Sequence, residues 1–130
     1  MCFSGKYTFS EIRQKINGRG GLVAHLGTND LREVEKRIAD GDAKASLVFD
    51  AMALQVSKEI GRCAVVLKGT VDAVVLTGGL AYSDNLCERV TSRVSFIAQV
   101  LRYPGEDEME ALAHGALRVL RGEESARQYG

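Results

Sequence analysis

The chain has 130 residues, a length typical of one domain or part of one, and its 45% hydrophobic and 26% charged residues exclude a disordered or collagen-like chain. Its 17 basic and 17 acidic side chains cancel, which excludes a domain held on nucleic acid by bulk charge. No apolar run approaches the roughly 18 residues of a membrane span, and the first six residues lack a signal-peptide core. We therefore expect a cytoplasmic protein without nucleic-acid or membrane partners.

The first half of the sequence predicts three helices. A capping-box pattern, Thr8 followed three residues later by a glutamate, predicts a short helix that ends at Asn17. Capping residue types at 28–30 precede a second helix, and Asp42 can cap the longest one, which ends at Gly69. The predicted inward stripe of that helix has near-helical spacing and consists of Ala45, Val48, Met52, Val56, Ile60, Ala64 and Leu67.

The second half predicts two parallel strands that alternate with two helices. The apolar run 71–76 is too short for a helix, and its near-continuous hydrophobicity predicts a strand buried on both faces. A helix capped by Ser83 or Asp84 follows, and then a second strand at 96–101. The last helix is predicted at 106–120, and its inward residues are Met109, Leu112, Ala113, Ala116 and Leu120. The crossover between the parallel strands is expected to be right-handed.

This order of elements divides the chain into a helical part at 9–68, a strand–helix–strand–helix unit at 71–121 and a tail at 122–130. Two strands are too few for a stable open sheet, so we expect the sheet to be incomplete. The three cysteines, Cys2, Cys63 and Cys87, are far apart and form no CxxC pair, which predicts reduced core thiols rather than a zinc site or disulfides. The two histidines, at 25 and 114, are interpreted as structural.

The first candidate site is the turn Thr77-Gly78-Gly79-Leu80, which directly follows the first predicted strand. Ligands of α/β sheets bind beyond the carboxyl ends of the strands, where glycines allow a ligand to approach the backbone. The helix that follows offers free N–H groups to an anion. The turn matches neither the dinucleotide fingerprint nor the phosphate loop of P-loop enzymes, and such turns also occur for packing reasons.

Two further segments allow a structural and a functional interpretation. Asp30 and Arg32 lie at a helix start, where Asp30 can simply cap the helix, or the pair can contact a planar ligand, since guanidinium groups stack on rings. Four acidic residues at 106–110 can complement the dipole of the last helix or lie near Mg²⁺. No Ser/His/Asp or Cys/His constellation has local support.

Taken together, the segments 20–35, 71–83 and 103–112 resemble the C-terminal part of the butyrate kinases, in the acetate and butyrate kinase family of the acetate and sugar kinase, Hsp70 and actin superfamily. The resemblance covers nearly the whole chain. It implies an α/β fold, the C-terminal part of an actin-like (ribonuclease H-like) ATPase domain. It also implies ATP-dependent phosphorylation of butyrate or a similar short-chain carboxylate, with ATP/ADP and Mg²⁺ bound.

The resemblance also implies site residues. The glycine turn resembles the adenosine motif of the family, Asp30 and Arg32 match the Asp-x-Arg of its adenine pocket, and Glu108 resembles a glutamate near Mg²⁺. Ala81-Tyr82-Ser83 departs from the Gly-Glu-Asn of acetate kinases, and His25 is not assigned to phosphate. The expected nucleotide-binding residues are Asp30, Leu31, Arg32, Thr77, Gly78, Gly79, Leu80, Tyr82 and Ser83.

The same resemblance places no catalytic residue in this segment, because the phosphate loops and catalytic groups of the family belong to earlier parts of its fold. We therefore expect the chain by itself to lack kinase activity. The alternatives are a nucleotide-binding or oligomerising interaction module and an inactive folding fragment. A sheet whose first strand lacks its neighbour presents an unpaired apolar edge, which predicts a homo-oligomer.

Overall fold

A computed structural model of the protein describes residues 4–105 and 108–126, except the side chain of Glu108. The elements follow the order predicted from the sequence, with two additions, a short helix at Gly21–Leu26 and a 3₁₀ turn at Gly79–Tyr82. In chain order they are α1 (Phe9–Ile16), α2 (Gly21–Leu26), α3 (Leu31–Ala39), α4 (Ala43–Val66), β1 (Ala73–Gly78), α5 (Asp84–Val94), β2 (Gln99–Pro104) and α6 (Glu108–Leu120).

Side-chain caps begin four of these helices, and all four caps lie where the sequence predicts them. Thr8 and Glu11 form a complete capping box at α1. The carboxylates of Asp30 and Asp42 accept backbone N–H bonds at α3 and α4, and the Ser83 hydroxyl does the same at α5. The predicted helices of the first half and the helix after the glycine turn are thereby confirmed.

The buried face of α4 differs from the predicted stripe. Its fully packed residues lie four apart, at Ala45, Phe49, Ala53 and Ser57. Three of these side chains are small, so α3 and α5 can approach α4 closely around the buried Phe49 ring. The buried residues of α4 therefore lie one position after the large apolar residues of the predicted stripe. The outer members of the predicted stripe remain accessible: Leu67 is 54% exposed.

β1 and β2 are paired in parallel, as predicted, with Val74 opposite Val100 and Thr77 opposite Tyr103. Both strands begin later than the sequence suggests: β1 by two residues and β2 by three. The residues just before β1 still belong to the C-terminal turn of α4, with the glycine at 69 in the left-handed region. Just before β2, Ile97 still donates its N–H to the Val94 carbonyl at the end of α5.

The sheet is covered on one face only. Val74 is buried against the helices, whereas Val75, which points to the other face, is 54% exposed. Burial of the strand on both faces was therefore a wrong prediction for this chain, because none of the described elements covers the second face.

The core lies between α3, α4, α5 and the inner face of β1, around Val34, Phe49, Val90 and Val94. α6 does not join it. The predicted inward residues of α6 are exposed, Met109 at 80% and Leu120 at 81%, because no described element packs over this helix. Residues 106 and 107, which were also assigned to the helix, lie outside the described residues, as do 127–130 of the tail.

The thiol predictions are confirmed in part. Cys87 is a reduced core cysteine that donates weakly to the Ala81 carbonyl, whereas Cys63 is reduced but exposed on α4, and Cys2 is outside the described residues. His114 is exposed on α6, 3.5 Å from the Glu110 carboxylate. Among residues 4–105 and 108–126, no helix combines the length and the apolarity that crossing a bilayer requires.

Candidate functional site

A single cleft of about 460 Å³ lies between the start of α3 and the turn that follows β1. All the predicted nucleotide-binding residues except Thr77 and Gly78 line it, although the two segments are more than 40 residues apart in the chain. The volume is within the usual range of small-ligand pockets. Its lining consists of Asn29, Asp30, Leu31, Arg32, Glu35, Gly79, Leu80, Tyr82 and Ser83.

Asp30 and Arg32 form one hydrogen-bonded unit at the start of α3. The Asp30 carboxylate accepts from the Arg32 backbone N–H at 3.0 Å, from Nε at 3.0 Å and from Nη2 at 2.7 Å. The side-chain bonds from Arg32, and then its backbone bond, lower the pKa of Asp30 from 3.8 to about 2, so the carboxylate is ionised and paired at neutral pH. The Arg32 side chain is 89% exposed, which leaves its planar face free to stack on a ring.

The glycine turn has a backbone that only glycine adopts easily. Gly78 has φ +81° and ψ −177°, a region essentially restricted to glycine. Its N–H donates to the Gly105 carbonyl at 3.1 Å, and the Gly105 N–H donates back at 3.3 Å, so the turn is tied to the end of β2. Gly79 has an ordinary φ, and a Cβ placed there meets no protein atom within 4 Å. The position of the turn that requires glycine for its backbone is therefore Gly78 and not Gly79.

Arg102 of β2 holds the glycine turn from the side of β2. Its Nε donates to the Ala81 carbonyl, and its Nη1 donates to the Asp84 carboxylate. The Asp84 carboxylate also raises the pKa of this guanidinium. Sequence reasoning missed Arg102, because nothing local distinguishes it from other surface arginines until β2 pairs with β1.

Glu35 is the second residue that the sequence analysis missed. It lies one turn beyond Asp30 on α3, where its acidic neighbours suggest only a solvated helix face. In the structure its Oε1 accepts a hydrogen bond of 2.5 Å from the Ser83 hydroxyl, 48 residues away. The signal that could have found it is the helical period, which places Glu35 on the same side of α3 as Arg32 and Leu31.

Two of the predicted nucleotide-binding residues lie outside the cleft. Thr77 lines a neighbouring cavity of about 310 Å³ together with core residues of α4 and α5, and Gly78 shapes the turn without lining the cleft. The Glu108 side chain is outside the described residues, so its predicted metal role is not seen. No cluster of three or more His, Cys, Asp or Glu side chains that could hold a metal ion occurs in the part of the chain that the structure describes.

Solved structures of two kinases share this fold. An acetate kinase from Porphyromonas gingivalis matches with a TM-score of 0.76 and 22% identity, over 89% of this chain and 35% of that one. A propionate kinase from Francisella tularensis subsp. tularensis matches with a TM-score of 0.69 and 21% identity, over 82% of this chain and 33% of that one. The fold class predicted from the sequence is thus confirmed: the chain has the fold of one part of these kinases.

Two curated relatives match along practically the whole chain. "Probable butyrate kinase 2" of Caldanaerobacter subterraneus subsp. tengcongensis is 65% identical over all 130 residues, and "Butyrate kinase 1" of Clostridium acetobutylicum is 54% identical over 129. The chain spans only 37% and 36% of their lengths. The model of the Acetokinase family matches residues 4–106. The chain belongs to the acetokinase family, and the resemblance stated from the sequence is confirmed.

Proposed function

We propose that this chain forms the nucleotide side of a carboxylate kinase, as part of its C-terminal domain. The complete reaction transfers the γ-phosphoryl group of ATP to butyrate or a similar short-chain carboxylate and yields an acyl phosphate and ADP. The observation that carries the proposal is the cleft in which the Asp30–Arg32 pair and the glycine turn meet. The names of the two curated relatives support butyrate as the acceptor.

The residues of the cleft suit a nucleotide in a simple way. The exposed guanidinium plane of Arg32 offers a stacking surface for the adenine ring, and Asp30 fixes its orientation. Gly79 carries no side chain between the backbone and the ligand, so the ribose and the α-phosphate can lie against the turn. Phosphoryl transfer depends mainly on positioning and charge stabilisation, and this chain contributes the positioning of ATP.

In this proposal the metal ion and the acyl acceptor lie outside the cleft itself. Mg²⁺ accompanies ATP in this kind of reaction; no cluster that could hold it occurs among the described residues, and Glu108, whose side chain is not among them, remains the predicted metal neighbour. The carboxylate is likewise bound outside this cleft. Since the proposal makes ATP the phosphoryl donor, we also propose that the protein works in the cytoplasm.

A chimera tests the proposal directly. This chain replaces the matching 54% identical segment of the Clostridium acetobutylicum butyrate kinase, and acyl phosphate is trapped with hydroxylamine. We expect butyrate-dependent acyl phosphate at a rate comparable with that of the intact host. The same chimera carrying Arg32→Ala is expected to lose activity at low ATP and to recover it partly at high ATP. A folded chimera that binds ATP but makes no acyl phosphate contradicts the kinase proposal and favours a nucleotide-binding module.

We also infer that this 130-residue polypeptide, taken alone, self-associates through the free edge of β1. Among the described residues β1 pairs with β2 alone, and a groove of about 650 Å³ lies between β1 and the end of α4. The groove is lined in part by exposed apolar side chains, Val56 at 38% and Leu67 at 54%, and Val75 of β1 is itself 54% exposed. Unpaired strand edges beside apolar surface are templates for strand addition.

Light scattering is expected to give a dimer or a higher oligomer rather than a 14.1 kDa monomer. Val75→Lys is expected to weaken the association, because it places a charge on the exposed face beside this edge. As Val75 is already half exposed, the variant should retain most of its folding stability. Leu47→Lys, at a 70% exposed leucine of α4 and not of β1, is the matched control and should leave the assembly unchanged. A stable monomer at high concentration contradicts the inference.

A further inference from the structure

We propose that Ser83 and Glu35 act as a positioning pair that sets the distance between the two walls of the cleft. This inference rests on the proposed nucleotide function of the cleft. It assigns to Ser83 a different role from the direct nucleotide contact predicted from the sequence. Glu35, which the sequence analysis did not single out, becomes its partner.

The hydrogen bonds of Ser83 leave little capacity for a ligand. A serine hydroxyl has one proton to donate and two lone pairs. Ser83 gives its proton to Glu35 Oε1 at 2.5 Å and accepts from the Leu86 backbone N–H at 3.0 Å. Its residue surface is only 8% exposed. The donor is therefore committed to Glu35, and the side chain is largely shielded from the cleft that it borders.

The hydrogen bond between Ser83 and Glu35 joins the two walls of the cleft, whose positions would otherwise be independent of each other. Glu35 belongs to α3, the helix whose first turn holds the Asp30–Arg32 unit. Ser83 ends the 3₁₀ turn of Gly79–Tyr82 and caps α5. A hydrogen bond with an ionised acceptor is shorter and about twice as strong as a neutral one. The pair thus fixes the Arg32 guanidinium relative to the glycine turn.

This spacing matters because a nucleotide must touch both walls at once. Stacking on Arg32 and approach to Gly79 are compatible only at one separation, which a shift of about an ångström is enough to spoil. Arg102 already holds the turn against β2 from the other side, so Ser83–Glu35 completes the support of the turn toward α3. Losing the pair is expected to weaken ATP binding although neither side chain stacks on the base.

Reversal of the hydrogen bond tests the pair. Ser83→Asp preserves the cap of α5, since aspartate caps as well as serine, but sets a carboxylate against Glu35. We expect the Kd for ATP of the 130-residue chain to rise about tenfold. In the double variant Ser83→Asp/Glu35→Gln, the amide at position 35 donates to the carboxylate at position 83. The double variant is expected to return to within about threefold of the original affinity, whereas Glu35→Gln alone keeps only a neutral acceptor for Ser83 and is expected to weaken binding less than Ser83→Asp does.

The controls separate this inference from the proposed function. Glu35→Ala leaves the cap of α5 intact and is expected to reproduce the loss, which keeps the test valid if Ser83→Asp does not fold. Wild-type chain that fails to bind ATP overturns the proposed function. Wild-type binding with unchanged affinity in Ser83→Asp and Glu35→Ala, or a double variant as weak as Ser83→Asp, overturns the positioning role alone.

Discussion

Replacing Gly78 with alanine is expected to lower the free energy of unfolding by about 1–3 kcal/mol, the usual cost of holding a side chain in a glycine-only backbone region. The φ of +81° and the two hydrogen bonds to Gly105 fix this conformation. No protein atom lies within 4 Å of the added Cβ, so the loss comes from the backbone and not from a clash. Urea unfolding of the two chains measures it.

Gly79 is the matched control within the same turn. Its φ is ordinary and its added Cβ also meets no protein atom, so Gly79→Ala should change the unfolding free energy by no more than about 0.5 kcal/mol. Because Gly79 lines the cleft, Gly79→Val should instead raise the Kd for ATP tenfold or more, since overpacking a fitted contact costs about 1–3 kcal/mol. Equal destabilisation by both alanine variants, or equal ATP affinity in Gly79→Val, would contradict this division of roles.

Arg32→Ala is expected to raise the Kd for ATP about tenfold, because it removes the stacking plane and a positive charge, together worth roughly 1–2 kcal/mol. The side chain is 89% exposed, so folding stability should hardly change. Isothermal titration calorimetry with ATP measures the affinity, and urea unfolding of the same samples checks the fold.

Two further variants distinguish stacking from charge. Arg32→Lys keeps the charge beside Asp30 but loses the planar face, and should weaken binding nearly as much as Arg32→Ala. Arg62→Ala removes another exposed arginine that is also ion-paired with a nearby carboxylate, that of Glu59 at 3.2 Å, but lies outside the cleft. It should leave the affinity unchanged. A lysine variant that binds like the wild type would show that charge, and not stacking, holds the nucleotide.

Local chemistry explains which parts of the fold could be predicted. Helix caps at Thr8, Asp30, Asp42 and Ser83 act within three residues of themselves, so the sequence alone places those helix starts. The first residue of a strand is harder to predict, because it depends on where the C-terminal turn of the preceding helix ends. The left-handed glycine at 69 and the bond from Ile97 to Val94 delay β1 and β2, and neither is visible in an apolar run.

The burial of a side chain could not be predicted from the apolar pattern alone, because it depends on which elements pack against that side chain. Val75, Met109 and Leu120 are apolar and were expected inside, yet they are exposed because a hydrophobic pattern does not say what will cover it. On α4, the small residues beside Phe49 form the buried line, since helices approach closest where side chains are short. Side-chain volume at the helix contacts thus decided which face of α4 is buried, and the helical period alone could not predict that face.

The sequence by itself determined the family, the two segments that line the cleft and the caps at the helix starts, because each depends on residues that are adjacent in the chain. Only the tertiary structure decided that Asp30–Arg32 and Gly79 line the same cleft, that Gly78 and not Gly79 adopts the glycine-only backbone, and that Glu35 and Arg102 support the turn. Hydrogen bonds between residues 48 or 21 positions apart leave no local signature in a sequence. They exist because the parallel pairing of β1 with β2 and the packing of α3 on α4 bring those side chains together.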